Sequence, residues 1–239
     1  EEDATRLVRA ARYAARLEAT SDATLVHAAK AAAHGGYVQL TGRTRMVDAM
    51  RLVFEEQHPA PVVALLATWG VLDAIEPGFR AEPAAVAAAW AIVEDEARDA
   101  DRVALGFGLL LAGVDVDRRR DWLASSGLER NAIRSALAAA DAGALRAEIS
   151  GRADGDVDQV CARLPIEAVV AAGGDEAERY LARLRHIVLA VDGADVKQVA
   201  GVEGAEVGRL LIELRRACIE GSVAPERDAQ LAWLTAQAG

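Results

Sequence analysis

The chain has 239 residues, a formal net charge of −10 and a hydrophobic content of 52%, yet only ten of its residues are Phe, Trp or Tyr. This length allows one large domain or two to three small ones, and a composition rich in alanine but poor in aromatics favours closely packed helices over a β-sandwich. The acidic balance excludes a general nucleic-acid coat, because phosphate binding needs clustered Lys and Arg.

Several other classes of protein and site are excluded as well. The sequence has no run of about 18 uncharged apolar residues and opens on acidic residues, so we expect a cytoplasmic protein without a membrane contact. Neither Cys161 and Cys218 nor the four histidines have the spacing of a zinc site. The common nucleotide-loop and hydrolase motifs are absent. We therefore expect no metal ligand and no catalytic residue in this chain.

The first predicted helix covers residues 4–17, and Asp3 stands at the position of its N-cap. Four arginines follow at helical spacing, and at about 100° per residue they fall within ~120° of arc. They are Arg6, Arg9, Arg12 and Arg16. This helix therefore carries a cationic stripe. A second helix is predicted at 24–33 and ends at Gly35 and Gly36.

The rest of the chain has the pattern of a series of short helices. They are predicted at 46–56, 62–69, 83–99, 102–111, 116–123, 131–139, 157–163, 166–172 and 175–188. Gly106 and Gly108 lie inside one of these helices and indicate close packing. The polar segment 152–156 is typical of a linker. We predict an all-α fold, an elongated array of short helices with no substantial sheet.

The most informative segment is residues 2–6, E-D-A-T-R, with the arginine-bearing helix that follows it. It resembles the EDxxR motif and its helix, E-D-P-x-R-[IL]-[LM]-R-A-x-R-[FY]-A-x-R-L, in tRNA nucleotidyltransferases and bacterial poly(A) polymerases. The departure is an alanine in place of the common proline. In that family the Asp and the first Arg pair with the incoming base. The resemblance implies that Asp3, Arg6 and Glu2 bind the nucleotide, with Arg9 placed to meet its triphosphate.

The chemistry of a carboxylate and a guanidinium suits that role. Cytosine and adenine both place an amino donor beside a ring-nitrogen acceptor, so Asp3 and Arg6, spaced i to i+3, can complement either base. Uracil and guanine reverse this pattern and leave polar groups unpaired, a mismatch that can reach ~10⁴-fold discrimination. From the residues alone, an alternative stays open in which Asp3 only caps the helix and the arginines form a solvated stripe.

Residues 40–50, L-T-G-R-T-R-M-V-D-A-M, resemble the neck segment V-S-x-E-R-[IV]-x-x-E-L of the same family, with one extra residue. Arg45 corresponds to the conventional arginine, whereas Arg43 and Ala49 replace the two acids. Such segments pack beneath the nucleotide pocket in the family, and we assign Arg45, together with Arg12 on the first helix, to contacts with RNA. The alternative is a basic helix start followed by an apolar face.

Residues 191–223 resemble the family's tail pattern G-x-D-L-x-x-x-G-x-x-P-G-P-x-x-G-x-[IL]-L…[DN]-G-x-[LV], although both prolines are replaced. A helix that begins after Gly204 can offer free N–H groups to an RNA phosphate, with Lys197 and Arg209 nearby. The alternative is an ordinary helix-hairpin-helix element in which Glu203 and Glu206 repel phosphate.

Taken over the chain, the resemblance implies a neck at 1–60 with the EDxxR helix, a helical body at 61–150 and a tRNA-docking tail at 151–239. The catalytic head of the family, with a Gly-Gly loop and a D-x-D pair that holds two metal ions, has no counterpart here. The D-V-D of residues 115–117 leads into three arginines and indicates a helix cap. We therefore expect Mg²⁺ to act through the absent head, and the chain alone to be inactive.

The expected function is that of the C-terminal helical part of a tRNA nucleotidyltransferase. It would select CTP and ATP by a protein template and dock the tRNA 3′ end and elbow for addition of CCA or A. Its expected partners are tRNA, CTP, ATP and the catalytic head, in cis or in trans. Two alternatives stay open: a poly(A) polymerase of the same superfamily, and a non-catalytic helical module that binds a protein partner.

Overall fold

The computed structural model describes residues 3–20, 22–80 and 82–237. Within these residues every regular element is a helix, with 17 α-helices, one 3₁₀ turn and no strand. The prediction of an all-α fold is confirmed. Glu2, which the sequence assigns to the nucleotide site, lies outside the described residues.

The helices fall into two groups along the chain, one before and one after residue 125. The first group comprises α1 Thr5–Arg16, α2 Ala23–His34, α3 Tyr37–Leu40, α4 Arg43–Phe54, α5 Ala60–Thr68, α6 Val71–Ile75, α7 Pro83–Asp95, α8 Arg102–Leu111 and α9 Val116–Ala124. The second comprises α10 Arg130–Ala140, α11 Ala142–Ile149, α12 Asp154–Cys161, α13 Ile166–Ala172, α14 Gly174–Ala182, the 3₁₀ turn Leu184–His186, α15 Gly193–Ala200, α16 Ala205–Ile219 and α17 Arg227–Gln237.

The helices form two compact units. The first unit is the chain up to Leu145 together with Pro165–Gly173, and the second is Arg146–Leu164 with the chain from Gly174 onward. The first unit therefore includes α13, although α12 before it belongs to the second unit. The division into neck, body and tail at residues 60 and 150 stays a prediction.

The core of the first unit is built around a row of aromatic rings. Phe54 lies centrally, with ring centroids 6.2 Å from Trp90 and 5.2 Å from Phe107. Trp122 continues the row at 5.3 Å from Phe107 and 4.9 Å from Phe79. All five side chains are buried. Tilted and edge-on contacts at these distances stabilise the core beyond the burial of area alone, and they join α4, α7, α8 and α9.

Two glycines let α8 approach its neighbours closely. A Cβ at Gly106 would stand 2.2 Å from Cδ1 of Phe54, and one at Gly108 would stand 2.4 Å from Cβ of Ala139. Neither position has room for a methyl group, because real Cβ contacts at such distances do not occur. The prediction that these glycines mark a packing site is confirmed.

The second unit has a separate apolar core formed by α15, α16 and α17. Its buried residues are Val191, Val196, Val207, Leu210, Leu214, Ala217, Val223 and Leu234. Beside this core, Arg215 on α16 donates two hydrogen bonds of 2.7 Å to the carboxylate of Asp158 on α12. The same guanidinium donates to the backbone carbonyls of Leu184 and Ile187. One arginine thus fixes α12, α16 and the 3₁₀ turn to one another.

Two segments differ from their predicted structure. Segment 152–156, predicted as a linker, contains the start of α12 at Asp154, whose carboxylate accepts hydrogen bonds from Arg179 and Arg183. Gly155 lies in this first turn close to α16, where a Cβ would meet the Arg216 side chain at 2.8 Å. The helix predicted at 175–188 ends earlier, at Ala182. In both cases long-range partners, which local composition does not show, decide the structure.

Candidate functional site

The start of α1 is held by the side chain of Asp3. Its Oδ1 accepts a hydrogen bond of 3.0 Å from the backbone N–H of Thr5, and its carbonyl accepts one of 3.0 Å from the N–H of Arg6. The N-cap is Ala4, in helical conformation and without a side-chain cap, rather than Asp3 as the sequence predicts. The helix therefore begins one residue later than expected, while Asp3 still satisfies one of its free N–H groups.

A second residue that fixes this start is Thr41, which the sequence assigns only to a loop. Its buried hydroxyl accepts a hydrogen bond of 3.1 Å from the N–H of Ala4 and donates one of 3.0 Å to the carbonyl of Tyr37. The loop between α3 and α4 is thereby tied to the first turn of α1. The local signal for this role is weak, because a threonine before Gly42 is common in any turn.

Arg45 on α4 completes the fixation of Asp3. Its Nη2 lies 2.6 Å from Oδ2 of Asp3, whose side chain is 29% exposed. The hydrogen bond from the Thr5 N–H, aided by the charges of Arg45 and Arg6, holds the pKa of Asp3 below its ordinary value. Asp3 is therefore a carboxylate at neutral pH, with both oxygens fixed in direction.

Arg6 stands one helical turn from Asp3 and is exposed. Within the described residues no carboxylate forms an ion pair with Arg6. Of the two groups predicted to pair with a base, Asp3 is partly exposed beside Arg45 of α4, and Arg6 is exposed. A carboxylate and a guanidinium therefore stand one turn apart at the amino end of α1.

A groove of about 190 Å³ runs between α1 and α4 beside this pair. It is lined by Thr5, Val8, Arg9, Arg12, Arg45, Asp48, Ala49 and Leu52. Arg9 is exposed at its edge, and in the described part of the chain it has no carboxylate partner. Arg9 is therefore available to an anionic group that enters the groove.

The carboxyl-terminal half of the arginine stripe has a different environment. Nε of Arg12 lies 2.7 Å from Oε1 of Glu56, and Nε of Arg16 lies 2.9 Å from Oε2. Burial raises the pKa of Glu56, but the hydrogen bonds from Arg16 and Arg12 outweigh it, so that this pKa lies below its usual value. We call these three residues the Glu56 cluster. Arg12, assigned to RNA from the sequence, is engaged here within the protein.

The second unit contains the three remaining predicted residues. Gly204, at φ 63° and ψ −132°, is the N-cap of α16 and leaves its first turn without a side-chain cap. Arg209 pairs with Glu206 and with Glu213 at 2.6 Å, and the hydrogen bonds that it donates to Glu206 and then to Glu213 raise its pKa. Lys197 is exposed on α15 and has no ion-pair partner among the residues described. Arg209 is therefore neutralised locally, whereas Lys197 is not.

The described ranges contain no group of three or more His, Cys, Asp or Glu residues arranged to hold a metal ion. Asp115 accepts a hydrogen bond of 3.0 Å from the N–H of Asp117 and caps α9, so its predicted role as a helix cap is confirmed. Burial raises the pKa of Cys161 to about 12, which makes this thiol a poor nucleophile. Between residues 3 and 237, leaving out 21 and 81, there is no helix long and apolar enough to span a bilayer.

No protein-family model and no curated protein sequence matches the chain. Solved structures do match its fold. An apo CCA-adding enzyme superposes with a TM-score of 0.80 at 20% identity, over 98% of this chain and 59% of that one. A CCA-adding enzyme in complex with ATP gives 0.77 at 20% identity, over 98% and 60%.

The Thermotoga maritima CCA-adding enzyme complexed with tRNA gives a TM-score of 0.78 at 19% identity, over 99% of this chain and 62% of that one. The chain thus spans about three fifths of the length of these enzymes. The resemblance predicted from the sequence motifs is confirmed at the level of the fold.

Proposed function

We propose that this chain is the base-selecting and tRNA-docking part of a nucleotidyltransferase that adds CCA, or A alone, to tRNA 3′ ends. The observation that carries the proposal is the pair formed by Asp3 and Arg6. An ionised carboxylate and an exposed guanidinium stand one turn apart at the start of a helix. The fold agrees with this function, since the similar structures include CCA-adding enzymes bound to ATP and to tRNA.

The contacts of Asp3 support its use as an acceptor for an amino group. A carboxylate has about four lone-pair sites, and Thr5 and Arg45 occupy one on each oxygen. The free sites can accept from the amino group of cytosine or adenine, while Arg6 donates to the adjacent ring nitrogen. Because Asp3 is already oriented and ionised, little reorganisation is needed when the base binds.

The phosphates of the nucleotide are assigned to Arg9. This guanidinium lies at the edge of the groove between α1 and α4 and is exposed, so it can donate charge-assisted hydrogen bonds to a triphosphate. Glu2 belongs to the same motif, and we also assign it to binding of the nucleotide.

Docking of the tRNA is assigned to the cations and free N–H groups identified above. Lys197 and the uncapped turn after Gly204 are available to phosphate as they stand. Arg12, Arg45 and Arg209 are engaged by Glu56, Asp3 and two glutamates on α16, respectively. A contact between these three arginines and RNA therefore requires the ion pairs to open.

The chemical step is assigned to a catalytic head in cis or in trans. The described residues do not fit a metal ion, because none of their carboxylates are grouped as ligands. Mg²⁺ therefore belongs with the head in this proposal, and the chain by itself is proposed to be inactive. A cytoplasmic location follows from tRNA as substrate.

A filter-binding titration with tRNA at several salt concentrations tests this function. We expect salt-dependent binding that weakens for Lys197→Ala and Arg9→Ala and is unchanged for Arg130→Ala, an exposed control at the start of α10. Absence of tRNA binding at low salt would instead support a helical module for a protein partner. Equal binding of poly(A) and tRNA would favour a poly(A) polymerase.

A further inference from the structure

The arginine stripe of α1 is divided into two halves that differ in their counter-ions. Arg6 and Arg9 are exposed and form no ion pair with the carboxylates of the described residues. Arg12 and Arg16 share the single carboxylate of Glu56, the second residue after α4. The four arginines follow one another at helical spacings of three or four residues, so the difference between the halves arises from the tertiary structure.

The contacts within the Glu56 cluster are short and use both carboxylate oxygens. Oε1 lies 2.7 Å from Nε of Arg12 and 2.9 Å from Nη2 of Arg16, and Oε2 lies 2.9 Å from Nε of Arg16. The side chains of Glu56 and Arg12 are only 11% and 16% exposed. Solvent therefore screens this part of the cluster weakly, and an approaching phosphate meets a carboxylate that already holds Nε of both guanidiniums and Nη2 of Arg16.

We propose that Glu56 is an internal counter-ion that confines polyanion binding on α1 to Arg6 and Arg9. With Glu56 in place, an RNA backbone gains less from Arg12 and Arg16 than from Arg6 and Arg9, because the carboxylate offsets part of their charge and repels a phosphate. The strand is thus kept off the carboxyl-terminal half of the helix, and its phosphates are directed to the half that bears the base-pairing residues. This inference rests on the proposed function in taking RNA as the polyanion.

The salt dependence of RNA binding measures the number of arginines that take part. Each phosphate contact adds about −0.7 to the slope of log affinity against log salt for a single strand. Replacing Glu56 by glutamine removes the counter-charge while retaining the shape and one acceptor. If Arg12 and Arg16 are then released to RNA, the slope becomes steeper by up to about 1.4.

The experiment compares Glu56→Gln with Glu55→Gln, the exposed neighbour at the end of α4. Fluorescence anisotropy of a short oligouridylate is recorded between about 50 and 200 mM salt. The proposal expects a steeper slope and tighter binding at low salt for Glu56→Gln alone. Equal slopes for the two variants would overturn it. The oligouridylate requires no selection of CTP or tRNA, so equal slopes with the oligouridylate still bound would overturn the inference alone, whereas no binding by the wild-type chain would count against the proposed function.

A second variant covers the case in which Glu56→Gln fails to fold, as checked by circular dichroism. Arg16→Gln replaces an exposed side chain, and the proposal expects it to reduce the slope of the wild-type chain by less than Arg9→Gln does. Arg9→Gln, the matched change in the other half, is expected to reduce the slope by about 0.7. Equal reductions for both arginines would show that the stripe acts as a whole and would contradict the proposal.

Discussion

At the scale of single residues, the orientation of Asp3 depends on contacts of very different range. The hydrogen bond to Thr5 is local, and the spacing of Asp3 and Arg6 is visible in the sequence as i and i+3. Arg45 and Thr41 lie 42 and 37 residues further along the chain from their partners. Sequence reasoning therefore identifies the pair that we propose to face the base, but assigns Arg45 to RNA and overlooks Thr41.

Arg45→Met tests the role of this ion pair. Because the pKa of Asp3 is depressed in the folded state, its interactions stabilise the protein above the ordinary Asp pKa and are lost as the pH falls through the folded value. Removing Arg45 deletes one of the favourable charges, so we expect the pKa of Asp3 to rise towards its ordinary value. NMR titration of the carboxyl carbon measures it. Arg43→Met, which alters a guanidinium 5.8 Å from the Trp122 ring, is the control. A pKa unaltered by Arg45→Met would argue against the pair.

At the scale of elements, most of the helices were predicted from local signals, whereas α3, α6, α11 and α17 were missed. α8 starts where Asp101 accepts hydrogen bonds of 2.9 and 3.0 Å from Val103 and Ala104, and α7 starts at Pro83. The four-residue α3 and the five-residue α6 were not predicted. Helices this short are not stable alone and form because neighbours pack on them, so their signal is tertiary.

The close approach of α8 to α10 is tested by Gly108→Ala. Its new methyl group would meet Ala139 at 2.4 Å, so we expect a loss of about 1–3 kcal/mol in the free energy of unfolding. Gly143→Ala on α11 is the matched control, because a Cβ there meets nothing within 4 Å. It should leave stability unchanged or raise it by up to about 1 kcal/mol, through helix propensity. Chemical denaturation measures both, and equal effects would refute this account of the packing.

At the scale of the whole molecule, composition was sufficient to predict an all-α fold, because few aromatic residues and abundant alanine suit packed helices. The partition into units was harder to predict. α13 belongs to the first unit because Val169 and Val170 are buried there and Glu167 accepts a hydrogen bond of 2.7 Å from the N–H of Asp101. A pairing across 66 residues leaves no local pattern in the sequence.

Two fragments test the boundary predicted at residue 150. A fragment of residues 1–150 lacks α13 and exposes the surface that Val169 and Val170 cover, whereas a fragment of residues 1–173 retains it. We expect the shorter fragment to unfold at a lower denaturant concentration than the longer one. Identical midpoints would show that α13 contributes little to the first unit and would support a boundary at residue 150.

The central claim, that Asp3 and Arg6 imitate a complementary base, is tested most directly by nucleotide choice in an active protein that contains this chain and a catalytic head. The measurement is kcat/KM for CTP, ATP, UTP and GTP with Asp3→Ala, beside Asp117→Ala, an exposed carboxylate on α9, as control. The account predicts that Asp3→Ala reduces the preference for CTP and ATP by about tenfold or more while tRNA affinity is retained. If Asp3→Ala retains the same preference for CTP and ATP as the Asp117→Ala control, the account is contradicted.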